Sequence, residues 1–155
     1  MKFSTKTLYG LRAILVLASR FGEGSISVSQ IAKKENISVA YLEQILNALK
    51  KKGLVKSVRG PQGGYILAKK PSEVSLESLF YILEDKAFAG FDGKIQKLED
   101  ADEIAVANII FWNKLESSVA EGLAKISLKE LIDESRRVKK SKAGRLASPT
   151  YTFHI

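Results

Sequence analysis

The chain has 155 residues, of which 45% are hydrophobic and none is cysteine, and its formal net charge is +8 at pH 7. This apolar fraction is sufficient for a folded core, and no stretch approaches the roughly 18 uninterrupted apolar residues of a membrane-spanning helix. Disulfides, thiolate metal sites and cysteine nucleophiles are excluded. We therefore expect a cytoplasmic protein that has no membrane partner.

Charge is unevenly distributed along the chain. Residues 1–70 hold 13 Lys and Arg against 3 Asp and Glu, a balance of +10. Residues 71–133 hold 6 against 13, a balance of −7, and residues 134–155 hold 6 against 1, a balance of +5. A basic segment of this kind suits a polyanion such as nucleic acid, although a merely solvated basic face is the alternative.

Three helices are predicted first. One runs from Ser4 to Phe21, and its buried face is expected to consist of apolar residues at helical spacing, namely Leu8, Leu11, Leu15 and Ala18, widened by Ile14 and Leu17. The capping box Ser27-Val28-Ser29-Gln30 opens a second helix to about Glu35. After a turn of a few residues, Ser38 caps a third helix that reaches about Lys52 and is ended by Gly53. Two helices joined so closely form a helix-turn-helix.

Two short strands follow at residues 54–58 and 65–68, and residues 59–64 form a Gly- and Pro-rich hairpin tip between them. Three helices followed by a hairpin is the order of a winged helix-turn-helix. The predicted fold is therefore mainly α: a winged helix-turn-helix of three helices and a two-stranded β-wing over residues 1–70, with a long C-terminal dimerisation helix.

The third helix enters the major groove in this fold, and its N-terminal residues meet base edges. Its apolar residues Leu42, Ile45, Leu46 and Leu49 are expected to face the core, which leaves the opposite face for DNA. A carboxylate can accept from cytosine, and Gln or Asn can pair with adenine. The residues predicted on this face are Ser38, Val39, Ala40, Tyr41, Glu43, Gln44, Asn47 and Lys51. An ordinary solvent-exposed helix is the alternative.

The wing tip supplies four further candidate DNA contacts, Arg59, Gly60, Gln62 and Gly63. The tip glycines permit positive φ and close backbone approach, and an arginine on such a finger can enter the narrow minor groove. A simple exposed hairpin is the alternative.

Residues 71–134 are predicted to form a helical dimerisation region with a polar loop at 86–101, followed by a basic, flexible tail at 135–155. The longest helix would run from about Asp102 to Ile126, roughly 37 Å. It carries two apolar stripes, which need two partners: the chain's own first helix, and the same helix of a second subunit. The residues expected at the dimer contact are Ile104, Ile109, Phe111, Trp112, Leu115, Val119 and Leu123. A buried core helix within one monomer is the alternative.

Three runs, at residues 38–46, 49–55 and 58–65, resemble the IscR-like family of bacterial winged helix-turn-helix regulators, which includes IscR, NsrR and CymR. The likeness covers about residues 1–133 and is strongest over 26–70, where Arg59 to Tyr65 reads RGPQGGY. The resemblance implies a homodimer on a pseudo-palindromic operator. It places Ser38, Tyr41, Glu43 and Gln44 on the recognition helix and Arg59 in the minor groove.

One departure from the family pattern bears on cofactors. Many members carry three cysteines between the fourth helix and the dimer helix, where they hold an iron–sulfur cluster, whereas residues 86–103 here contain none. We therefore expect no cofactor, as in cluster-free members such as CymR. The nearby acids Glu99, Asp100, Asp102 and Glu103 are expected to stabilise a helix start rather than bind a metal.

The predicted function is that of a sequence-specific, DNA-binding transcriptional repressor that binds double-stranded DNA as a homodimer without an iron–sulfur cluster. A winged-helix protein-interaction module without specific DNA binding is the alternative. An enzyme is not expected, because the sequence has no Ser/His/Asp set, no nucleotide-binding glycine loop and no metal-ligand spacing. For the effector, three alternatives stay open: a small metabolite, a partner protein, or no effector at all.

Overall fold

The computed structural model describes residues 3–84 and 102–141. The predicted loop at 86–101 and the chain after residue 141 lie outside the described residues. The helices and strands are, in chain order, α1 (Thr5–Ser19), α2 (Val28–Glu35), α3 (Val39–Lys51), β1 (Val55–Val58), β2 (Gly64–Leu67), a 3-10 turn (Pro71–Glu73), α4 (Leu76–Leu83), α5 (Glu103–Ala124) and α6 (Leu128–Lys140). The mainly helical winged fold predicted from the sequence is confirmed.

Each α-helix of the described ranges starts at a residue whose side chain accepts a hydrogen bond from the backbone N–H three residues later. Five of these caps are serines and one is an aspartate: Ser4, Ser27, Ser38, Ser75, Asp102 and Ser127. A cap of this type stabilises a helix by about 1 kcal/mol. The capping box predicted at Ser27 and Gln30 is present, with reciprocal bonds of 3.1 and 3.2 Å.

Two left-handed residues redirect the chain through the helix-turn-helix and into the wing. Asn36 ends α2 with a φ of 53°, and Gly53 follows α3 with a φ of 73°. At Gly53 the amide donates to the Lys50 carbonyl at 2.9 Å, and the Leu54 amide donates to the Leu49 carbonyl at 3.0 Å. This is the paired bonding of a Schellman motif, so the sequence correctly predicted where α3 ends.

The core is built from the winged unit together with α4 and the start of α6. α1 lies at its centre, packed against α2, α3, α4, α6 and β2. Its buried residues are Thr7, Gly10, Ala13, Ile14, Val16, Leu17 and Ala18. None of the helices described has the length and hydropathy to cross a membrane.

The predicted buried face of α1 is partly wrong. Leu8 is 52% exposed, and Leu11 and Leu15 are only half-buried. Because α1 is surrounded on several sides, Ile14, Leu17 and Ala18 of the predicted face are buried together with the small residues Gly10 and Ala13. The Leu8–Leu15 face lies at the edge of the core.

α5 packs against α4, whereas the sequence had suggested α1 as its partner within the chain. No residue of α5 is fully buried in the subunit. The interpretation of α5 as a buried core helix of a monomer is therefore wrong.

α6 continues to Lys140, six residues beyond the predicted boundary at residue 134 between the helical region and the tail. Residues 135–140 were assigned to a flexible tail, and this part of the prediction is wrong. Arg137, Lys139 and Lys140 lie in the last turn, where positive charge interacts favourably with the helix dipole. Arg136 also fixes the helix to α1, since its Nη2 donates to the Ser19 carbonyl oxygen at 3.3 Å.

Candidate nucleic-acid interface

The predicted recognition helix has one buried and one exposed face. Its four core leucine and isoleucine residues are at most 1% exposed, as predicted: Leu42, Ile45, Leu46 and Leu49. The residues predicted to contact DNA lie opposite and are exposed, with Tyr41 half-buried: Ser38, Val39, Ala40, Tyr41, Glu43, Gln44, Asn47 and Lys51. α3 therefore presents a polar row whose side chains are available to a partner.

Tyr41 lies at the boundary of these two faces. Its ring packs edge-on against Tyr9 of α1, with centroids 6.0 Å apart. The Ser38 hydroxyl accepts from the Tyr41 amide at 3.3 Å. Ser38, which caps α3, and Tyr41, in its first turn, are therefore both held by contacts within the subunit. No local sequence pattern predicts the contact with Tyr9, because it joins two helices that are distant in the chain.

The charged groups of this surface are not neutralised by one another. Within residues 3–84 and 102–141, no ion pair involves Glu43, Lys51 or Arg59. Arg12, by contrast, is paired with Glu35 at 3.1 Å. Unpaired lysine and arginine attract phosphates, whereas an unpaired carboxylate repels them and suits a directed contact with a base.

The wing tip exposes Arg59, Gly60 and Gln62, while Gly63 is half-buried. Gly60 has a φ of 119°, and its carbonyl accepts from the Gly63 amide at 2.9 Å. A Cβ at Gly63 would approach the Val58 and Gly60 carbonyl oxygens to 2.8 and 2.9 Å. Of the glycines at 60, 63 and 64, only Gly60 uses positive φ, and the other two are required by close packing of backbone.

The wing is anchored by a contact that sequence reasoning missed. Ile26, just before α2, forms an isolated antiparallel bridge with Tyr65 of β2. The Ser25 hydroxyl donates to the Gln62 carbonyl oxygen at the tip. The alternation of polar and apolar residues in Ser25-Ile26-Ser27 was the available signal, but three residues are too few to predict a strand.

α5 exposes a second surface, which we call the arm face and which consists of Ile104, Phe111, Trp112 and Leu115. Ile104 is 77% exposed and Phe111 is 57% exposed, and the Phe111 and Trp112 rings meet edge-on at 5.2 Å. Of the other predicted dimer residues, Ile109 and Val119 are half-buried, while Leu123 packs against the core of its own subunit. Ile110 is exposed as well, but it lies on another side of α5, because successive residues of an α-helix are rotated by about 100°.

The residues present do not fit an iron–sulfur cluster. The chain has no cysteine to supply thiolate ligands, and the described part of the chain holds no group of three or more His, Asp or Glu residues arranged for a metal. Asp102 caps α5 by accepting from the Ala105 amide at 2.7 Å, which agrees with its expected role in stabilising a helix start. Glu99 and Asp100 lie outside the described residues.

Residues 3–134 match the Rrf2 family, described as iron-dependent transcriptional regulators. The chain belongs to the Rrf2 family. The family includes the regulators that the sequence resembles, and its members are not enzymes. This protein is therefore a transcription regulator of the DNA-binding, winged-helix type.

Curated relatives in the Rrf2 family match nearly their whole length. The chain is 36% identical to the HTH-type transcriptional regulator CymR of Bacillus subtilis over 131 residues, which covers 84% of this chain and 89% of CymR. It is 32% identical to the HTH-type transcriptional regulator IscR of Photorhabdus laumondii over 133 residues, 86% of this chain and 80% of IscR.

Solved structures of Rrf2 proteins have the same fold. T. potens IscR superposes with a TM-score of 0.74 at 35% identity, covering 90% of this chain and 91% of IscR. CymR of B. subtilis, described as the global cysteine regulator, superposes with a TM-score of 0.71 at 34% identity, covering 86% of this chain and 98% of CymR. With no cysteine in its sequence, this chain cannot hold a cluster through thiolates as an iron-dependent member would.

Proposed function

We propose that this protein is a sequence-specific, homodimeric repressor that binds a pseudo-palindromic operator in the cytoplasm without an iron–sulfur cluster. The observation that carries the proposal is the exposed, unpaired polar row of α3 beside an arginine-bearing wing. Membership of a transcription-regulator family gives this surface its partner, double-stranded DNA.

Residues of α3 would divide the work of recognition. Glu43, Gln44 and Asn47 carry the groups that distinguish base pairs in the major groove, and Val39 and Ala40 can contact a thymine methyl group. Lys51 and the Ser38 hydroxyl suit phosphates. Arg59 would enter the minor groove next to the site read by α3, and the wing backbone at Gly60, Gln62 and Gly63 would follow it.

The arm face supports a second copy of the chain as partner. Aromatic and aliphatic side chains this exposed on one helix are unusual for a monomer, and a helix related to itself by a two-fold axis can cover its own apolar face. Phe111, Trp112 and Leu115 would lie at the centre of the contact with Ile104 toward one end, and Ile109 and Val119 at its margin. Leu123 would contribute least, because it already packs within its subunit.

Dimerisation also gives the operator its symmetry. Two recognition helices related by a two-fold axis read inverted half-sites about one DNA turn, roughly 34 Å, apart. A dimer bound across a promoter in this way excludes RNA polymerase by occupying the DNA. Repression therefore requires no contact beyond those with the operator.

Selection of bound duplexes from a random-sequence pool tests the proposal. We expect the purified protein to enrich an inverted repeat and to bind it at least about 1,000 times more tightly than random DNA. Gln44→Ala should relax the preference at one base pair in each half-site, at a cost of about 1–3 kcal/mol. Transcription in vitro from a promoter that contains the selected site should fall as protein is added.

Lys125→Ala is the matched control, since this exposed lysine lies at the end of α5, away from α3 and the wing. It should leave the selected motif unchanged. Recovery of no motif, or an identical motif and affinity for Gln44→Ala, would refute the proposed role of α3.

A further inference from the structure

The end of α4 is bonded to the start of α1. The Ser4 amide donates to the Glu84 carboxylate at 3.0 Å, and the Thr7 side chain is close enough to the same carboxylate to help lower its pKa. The Ser4 hydroxyl donates to Thr7 Oγ1 at 3.1 Å and accepts from the Thr7 amide at 3.1 Å. Glu84 thus completes the N-terminal cap of α1 from a different helix, 80 residues away in the chain.

Apolar contacts on both sides of this cap leave little freedom between the two helices. Phe3 and Phe80 have ring centroids 5.1 Å apart. At Gly10, a Cβ would meet the Leu83 side chain at 2.6 Å, and Leu83 itself is 1% exposed. A displacement of the last turn of α4 would therefore move the first turns of α1.

The same part of α1 contacts the recognition helix. Tyr9 lies two residues after Thr7, and its ring packs edge-on against Tyr41 at 6.0 Å. Tyr41 is in the first turn of α3, next to Ser38, Val39 and Ala40. Aromatic pairs of this geometry contribute stabilising free energy beyond that of their buried area, and they prefer a defined orientation. Tyr9 therefore restricts where the first turn of α3 can lie.

We propose that Glu84 is a positioning residue for DNA recognition: by holding the first turn of α1 through Ser4 and Thr7, it fixes Tyr9 against Tyr41 and thereby the N-terminal turn of α3. The proposal rests on the proposed role of α3 in reading the operator. It also identifies a route by which a change at the end of α4 would reach the DNA without any effector touching the winged unit.

Glu84→Ala tests this through two measurements. Operator affinity should fall about 3- to 10-fold while affinity for random duplex changes less than 2-fold, because phosphate contacts tolerate small displacements better than base contacts do. With fluorotyrosine incorporated, the ¹⁹F resonance of Tyr41, assigned by Tyr41→Phe, should also shift. Thr7→Val, which keeps the shape but removes the hydroxyl, should act in the same direction.

Glu134→Ala is the matched control, because the exposed carboxylate of Glu134 on α6 forms no hydrogen bond or ion pair within the described residues. It removes the same charge and should change neither the affinity ratio nor the Tyr41 resonance. Glu84→Gln keeps an acceptor for the Ser4 amide and should restore part of the ratio; it replaces Glu84→Ala should that variant not fold.

A double-mutant cycle identifies the route. If Glu84 acts through Tyr9, the losses of operator affinity from Glu84→Ala and Tyr9→Leu should not add, whereas independent structural roles would give additive losses. Additive losses, or an unchanged Tyr41 resonance in Glu84→Ala, would overturn the inference. If the wild-type protein showed no sequence preference, the proposed function would fail, but the Tyr41 resonance would still decide whether Glu84 positions α3.

Discussion

Ile26 and Tyr65 exchange two backbone hydrogen bonds: the Ile26 amide donates to the Tyr65 carbonyl at 3.0 Å, and the Tyr65 amide donates to the Ile26 carbonyl at 2.9 Å. Ile26 immediately precedes the capping box of α2, and Tyr65 lies in the second strand of the wing. The wing and the helix-turn-helix are therefore one unit rather than a hairpin attached to three helices.

Gly64→Ala should disrupt this unit. A Cβ at Gly64 would lie 2.2 Å from the Ile26 carbonyl oxygen and 2.8 Å from the Ser27 amide nitrogen. Backbone on both sides must shift, and we expect the free energy of unfolding to fall by about 1–3 kcal/mol. Urea unfolding followed by circular dichroism measures this change. Gly122→Ala is the control, since its Cβ would meet nothing within 4 Å in the subunit; equal losses for both variants would contradict the interpretation.

Arg59→Ala should reduce the salt dependence of operator binding. Each phosphate charge neutralised by a protein contributes about −0.9 to the slope of log K against log salt, and a dimer places two such arginines on DNA. We expect the slope to become shallower by about 1–2, with weaker binding at all salt concentrations. Fluorescence anisotropy between about 50 and 200 mM salt gives the slope.

Lys125→Ala removes the same charge from the end of α5 and should leave this slope unchanged. An Arg59→Ala protein with the wild-type slope would place the wing tip away from the DNA.

Phe111→Glu should convert the protein to a monomer without unfolding it. Phe111 is 57% exposed in the subunit and lies in the arm face, so a charge there is accommodated in a monomer but is costly in an apolar contact between copies. Sedimentation velocity should show the mass of one chain, while the helical circular dichroism spectrum stays unchanged. Asn113→Glu, an exposed position on the same helix, should retain the dimer; dimeric Phe111→Glu would exclude the arm face as the contact.

Glu84 should make stability depend on acid pH. Burial raises the pKa of this carboxyl. Hydrogen bonding by Thr7 and the Ser4 amide, together with the positive charge of Lys6, lowers the pKa by a larger amount, so the net pKa lies below the ordinary value of 4.5. The charged form therefore stabilises the folded state. Its contribution is fully present above the unfolded-state pKa and is lost as the pH falls through the folded-state pKa.

Urea unfolding between about pH 6 and pH 3 checks this dependence. Glu84→Gln should lose less stability than the wild-type protein on acidification, because one of the linked protons is absent. Asp133 also has a lowered pKa, caused first by its hydrogen bond with Lys129. Because Asp133 is present in both proteins, its effect on stability cancels in the comparison. Parallel stability curves for wild type and Glu84→Gln would contradict the effect.

The sequence predicted the parts of the fold that local chemistry determines. Ser27 with Gln30, Ser38 and Gly53 mark the limits of α2 and α3 through hydrogen bonds that span three to five residues, and the spacing of Leu42, Ile45, Leu46 and Leu49 identifies the buried face of α3. Exposed polar residues on α3 and at the wing tip then follow from geometry. These signals need no knowledge of the remaining chain.

The errors lie where contacts join distant residues. The leucines of α1 suggested its buried face, but the four helices and the strand that surround it leave Leu8, Leu11 and Leu15 at the edge of the core and bury Gly10 and Ala13. The charge run at residues 136–140 resembled a flexible tail, whereas Leu131 and Ile132 of the same helix pack against the core and Arg136 reaches Ser19. Neither contact leaves a pattern in the local sequence.

The chemistry of the helix caps has a consequence for the electrostatic field of the DNA-binding unit. α2 and α3 begin at uncharged serines and carry no acidic residue in their first turns, whereas α5 begins at Asp102 followed by Glu103. A hydroxyl satisfies the free amides of a helix start without cancelling the partial positive charge that the helix dipole places there. The starts of α2 and α3 thus keep an attraction for anions, whereas the carboxylates of Asp102 and Glu103 neutralise the start of α5.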